Sequence, residues 1–64
     1  SGENNKVFKG LQILSKYSDD ISISSAHDEL YARVEDYSKM TEEDVREMFR
    51  LDWRWGDDGF IIFT

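Results

Sequence analysis

The clearest alternation of apolar and polar positions runs from Met40 to Thr64, MTEEDVREMFRLDWRWGDDGFIIFT. Val45, Met48 and Phe49 make one apolar stripe at helical spacing, and extending it would bring Asp52 onto the buried side. The pattern therefore predicts a helix over residues 41–51, ending at about Leu51. Thr41 supplies an N-cap hydroxyl. Asp44 stands where a capping box carries Glu or Gln, and Met40 with Val45 can form a hydrophobic staple. Glu42, Glu43 and Asp44 in the first turn and Arg50 near the end suit the helix dipole, and Glu42 pairs with Arg46 at i,i+4. Beyond the helix, Trp53-Arg54-Trp55, the turn chemistry of Gly56-Asp57-Asp58-Gly59 and the β-favouring run Phe60–Phe63 predict a hairpin.

Upstream the pattern is weaker. Residues 1–5 are polar and expected to be disordered, and Ser1-Gly2 without a starting Met reads as a cloning remnant. Asn4 or Asn5 can cap a helix with Val7, Phe8, Leu11, Leu14 and Tyr17 on its apolar side, with Ile13 off the stripe. Gly10 inside it costs about 1 kcal/mol relative to Ala, and a strand over Leu11–Leu14 is the alternative. Ile21 and Ile23 alternate with Ser22 and Ser24 as a short strand, residues 25–28 read as a turn, and Glu29–Val34 resumes extended structure with Leu30, Ala32 and Val34 on one face.

The predicted order is α-β-β-α-β-β. Isolated hairpins are marginal, so the economical arrangement is a single small α+β domain over residues 1–64, one antiparallel sheet with two helices packed on it. Phe60–Phe63 is apolar on both faces. With two helices available, a central strand covered on both sides is favoured over an exposed aromatic patch.

Length and charge narrow the function classes. A chain of 64 residues buries only about 60% of its unfolded surface, so modest stability or association is expected, as a monomer or weak homodimer. It has no Cys, hence no disulfide or thiolate metal site. No run approaches the length of a membrane span and no signal-peptide core is visible. The net charge is −6, and the acids concentrate after Asp19. That balance argues against direct nucleic-acid binding through phosphates and is compatible with a basic partner surface.

Few residues can carry chemistry. His27-Asp28-Glu29 is the one place where His meets carboxylates, but neighbours on extended chain point to opposite faces, so Asp28 is poorly placed to orient His27. A turn role fits better. Asp57-Asp58 lacks the ligand spacing of a calcium loop. No phosphate-binding glycine pattern occurs, so neither cofactor nor metal is expected, and the chain reads as a non-enzyme. Trp53 and Trp55, with Tyr31 and Tyr37, could stack or anchor a partner, with one Trp expected in the core.

The segments LQILSKY, SAHDELYA, MTEEDVREM, DWRW and the ending FIIFT together resemble small uncharacterised proteins of tailed bacteriophages and prophages. The likeness spans residues 11–64, and this chain departs from the pattern at Asp52, where a Gly often precedes the first Trp. The resemblance implies an accessory protein in the cytoplasm of a bacterial host and implies no activity. The functional expectation is a protein-binding module for a host or phage protein. Its expected contact surface joins Trp53, Trp55 and Tyr31 to Glu42, Glu43 and Glu47. The alternative is an acidic nucleic-acid mimic that inhibits a host nuclease or DNA-binding protein, of the anti-restriction or anti-CRISPR type.

Overall fold

The computed structural model describes the backbone of residues 2–63 and the side chains of residues 5–63. Helix α1 spans Gly2–Leu14. Asn4 and Asn5 therefore lie inside it rather than capping it, and the helix takes in residues 2–5 of the segment expected to be disordered, Ser1 lying outside the described residues. Adding a turn to an existing helix is far cheaper than nucleating one, and α1 is anchored from Lys6 onward. Its inward side is Val7, Gly10, Leu11, Ile13 and Leu14. Phe8, assigned to the apolar stripe, is instead 62% exposed, and Ile13 packs on the core in its place. The stripe is rotated because its centre is a glycine.

That glycine receives Trp53. The indole is fully buried and donates from Nε1 to the carbonyl of Lys6 at 3.1 Å. A Cβ on Gly10 would stand 2.1 Å from the same nitrogen. The Lys6 oxygen, already the acceptor for the next helical turn, uses its second lone pair for the indole.

Helix α2 spans Glu42–Arg50. The Thr41 hydroxyl accepts from the Asp44 amide at 3.1 Å, as the sequence predicts. The capping box is completed from outside the helix. Tyr17 Oη accepts from the Thr41 amide at 3.3 Å and donates to the Asp44 carboxylate, which also binds Lys16 Nζ at 2.8 Å. An aspartate is one methylene short of the usual partner at this position, and the phenol spans the gap. At the other end Asp52 takes a left-handed conformation, φ 70°. Its amide donates to Phe49 O and that of Trp53 to Met48 O, both at 3.0 Å, which is a Schellman exit. This is the position where the sequence carries Asp instead of Gly.

The strands are β1 (Ser22–Ala26), β2 (Glu29–Arg33), β3 (Arg54–Trp55) and β4 (Phe60–Phe63). They form one antiparallel sheet in the order β1-β2-β4-β3. The β1–β2 turn is narrower than expected, only His27 and Asp28, with Ser25 and Ala26 inside the strand and His27 at φ 56°. Strands β2 and β3 run parallel, joined through α2, and β4 is inserted between them. This is the α+β order that the sequence predicts.

Leu14 and Met48 from the two helices meet Ala32, Phe60 and Ile62 from the sheet and Val34 just beyond β2, with Trp53 among them. Both helices thus cover one face. Strand β4 is central, but Ile61 is only partly buried and Phe63 is 63% exposed on the other side. The expectation of a doubly covered strand is overturned because α1 and α2 pool their short apolar stripes into a single layer. Among the described residues no helix is long and apolar enough to cross a membrane.

Candidate functional site

The connection from β2 to α2 places Tyr37 over the edge of the core. Asp36 Oδ1 accepts from the Ser38 amide at 2.8 Å and Tyr37 O accepts from the Met40 amide at 3.0 Å, which tightens the loop. The bond from Ser38 holds the Asp36 carboxyl below the usual range. Tyr37 Oη accepts from the Val34 amide at 3.2 Å, and burial raises its phenol.

Register puts Trp55 opposite Phe60, so its indole emerges on the helix-bearing side of the sheet. The rings of Tyr37, Trp55 and Phe60 meet edge to face, with centroids 5.1 Å (Tyr37–Trp55), 6.0 Å (Tyr37–Phe60) and 5.2 Å (Trp55–Phe60) apart. Between this cluster and α2 runs a groove of about 230 Å³ lined by Tyr37, Met40, Val45, Phe49, Trp55 and Phe60. Phe60 forms its floor, while Phe49 and Trp55 present half-exposed walls. Arg54, outside the lining, donates to Phe49 O and Trp53 O and ties β3 to the end of α2. The lining holds no carboxylate, amine or imidazole. Such a surface offers apolar contact and a hydroxyl, which suits the capture of a side chain rather than proton transfer.

Only part of the expected contact surface comes together here. Trp55 belongs to the groove. Glu42 shares the side of α2 that bears Val45 and Phe49, by the i, i+3, i+7 rule, and pairs with Arg46 at 2.6 Å. Glu43 and Glu47 lie on the adjacent polar stripe, with Glu47 bound to Arg50 at 2.9 Å. Trp53 is sealed in the core and offers no surface. Tyr31 is on the opposite face of the sheet, its hydroxyl bonded to Glu29, which raises its phenol. Beside it Arg33 binds Asp58 at 3.0 Å. Sequence reasoning missed Phe49 as a groove wall. Its position at the margin of the stripe, next to Glu42 on the helix surface, was the available signal.

His27 is exposed in the two-residue turn. Among the described residues no group of three or more His, Cys, Asp or Glu could hold a metal ion.

Compared with family models, curated proteins and solved structures, the chain gives no match.

Proposed function

We propose that the chain is a non-enzymatic binding module that holds an apolar side chain of a protein partner in the groove between α2 and Trp55. The observation that carries this reading is the pairing of two half-exposed aromatics, Phe49 and Trp55, over a floor already packed by Phe60 and Tyr37. Rigid aromatic anchors around a dry pocket are where binding energy concentrates in protein interfaces. In this reading it acts as a phage-type accessory protein in a bacterial cytoplasm, on a host or phage protein.

The charge pattern favours this over the nucleic-acid mimic. On α2, Glu42 and Glu47 are interleaved with and bonded to Arg46 and Arg50, while Asp44 is bonded to Lys16. A phosphate mimic needs a row of carboxylates that are not already neutralised by their neighbours.

The test is capture from host lysate with the parent, Trp55→Ala, Phe49→Ala and a Glu42→Gln/Glu43→Gln/Glu47→Gln triple variant in parallel. A partner lost with either aromatic and kept by the triple variant supports the groove. A partner lost with the triple variant, kept by Trp55→Ala and displaced by duplex DNA would establish the mimic instead.

A further inference from the structure

The two edges of the sheet are unequal. Strand β3 is two residues long, too short to template a neighbour. Strand β1 has five residues, all exposed, and none is charged: Ser22-Ile23-Ser24-Ser25-Ala26. It pairs with β2 on one side, and among the described residues no other backbone hydrogen bond reaches it. The two-residue turn makes Ala26 and Glu29 the closing hydrogen-bonded pair, so the alternation of an antiparallel ladder turns the amides and carbonyls of Ile23 and Ser25 outward. An edge of this kind is a template for strand addition unless lysine, proline, a bulge or a covering element blunts it.

What guards this edge is charge at its ends. Asp19 and Asp20 precede β1, and Asp28 and Glu29 follow it across the turn. A second copy pairing antiparallel about Ser24 would bring Asp19 and Asp20 of each copy up to the turn end of the other, where Asp28 lies. Like charges brought together at the ends of a pairing oppose it, and each copy already carries −6. The same four acids favour a strand with the opposite ends. We propose that β1 accepts an added strand from a partner, namely an extended segment with a neutral β-favouring centre and Lys or Arg at both ends. Backbone bonds to Ile23 and Ser25 provide the affinity and the flanking acids choose the partner. This surface is separate from the groove, and either could fail without the other.

The probe is the synthetic peptide Lys-Lys-Val-Thr-Val-Thr-Val-Lys-Lys, titrated into isotopically labelled protein and followed by amide NMR and hydrogen exchange. The Ile23 and Ser25 amides should shift and gain protection. Ser25→Pro removes an outward donor while leaving the β2 ladder intact, and should weaken binding about five- to tenfold. Asp19→Lys with Asp20→Lys should weaken this peptide and favour a counterpart with Glu in place of the two Lys at one end only, since Asp28 and Glu29 remain at the other, which keeps the test decisive if the proline variant folds poorly. Trp55→Ala should leave binding unchanged. Shifts confined to the groove or the bare sheet face, an unaltered affinity in the charge-swapped variant, or dimerisation of the parent through β1 would each overturn the proposal.

Discussion

Trp53 lies where the side chain of residue 10 would be, and only because that residue is Gly10 can the indole reach the Lys6 carbonyl. On helix propensity alone, Gly10→Ala would stabilise α1 by about 1 kcal/mol. Contact with a fully buried ring reverses the sign, and a net loss of about 1–3 kcal/mol is expected, as for an overpacked core. Denaturant melts measure it. In a double-mutant cycle, Trp53→Phe should be less harmful in the Gly10→Ala background than in the parent, because the smaller ring relieves the clash. Additive effects would show that the two residues are not in contact.

The Tyr17 hydroxyl links the first turn of α2 to the end of α1. Tyr17→Phe leaves the ring and removes both bonds, so it should destabilise by about 0.5–1.5 kcal/mol. Thr41→Ala should cost about 0.5–2 kcal/mol. Because both act on one network, the double variant should lose less than the two separate losses combined. Chemical denaturation of the three variants checks this.

Asp52 occupies a conformation that glycine enters without strain. Asp52→Gly relieves that strain and forfeits an exposed ion pair with Lys6 worth at most about 1 kcal/mol. The expected outcome is a melting temperature equal to or above that of the parent. Asp52→Asn keeps the tolerance of the left-handed region but not the charge, and should fall slightly below the parent.

Asp44 titrates below the usual aspartate value of 3.8, held down by its bonds to Lys16 and then Tyr17. A carboxyl depressed in the folded state binds its proton more weakly there than in the unfolded chain. Its contribution is therefore present above pH 3.8 and disappears as pH falls through the folded value. Asp44→Asn should be less stable than the parent at pH 6, and the gap should narrow towards pH 2 (urea midpoints at each pH). A constant gap would assign the loss to the amide's geometry instead of the charge.

The two tryptophans should behave oppositely in solution. Trp53 is 0% exposed and Trp55 52%. Acrylamide should quench the fluorescence of a Trp53→Phe variant strongly and that of a Trp55→Phe variant weakly. Truncating Trp53 to Ala should cost about 3–5 kcal/mol, as for a core aromatic, while Trp55→Ala should cost much less.

Local chemistry explains which parts were readable. Thr41, the acids after it and the Met48–Phe49 stripe determine α2 from neighbours a turn away, and the GDDG turn does the same for the second hairpin. Phe8 and Ile13 exchanged roles because the face of α1 is chosen by Trp53, a residue distant in sequence. The cap relay was invisible for a similar reason, since nothing near Thr41 announces Tyr17. Strand β4 reads as apolar on both faces, but coverage depends on where the helices lie, and that is decided by the whole layer. The groove combines both situations: Val45 and Phe49 are legible on α2, while their opposition to Trp55 requires the sheet register.

The order of the strands also has a consequence for biosynthesis. Strand β4 follows every other element in the sequence yet sits between β2 and β3 in space. As the chain emerges from the ribosome, roughly one to five seconds pass between completion of β2 and arrival of β4. During that interval the hairpin of β1 and β2 has Leu30 and Ala32 without their neighbours Ile62 and Phe60, and α2 has no finished floor to settle on. The sheet can therefore be completed only once β4 has been synthesised. Until then the facing edges of β2 and β3 stand unpaired, open to any strand that arrives first.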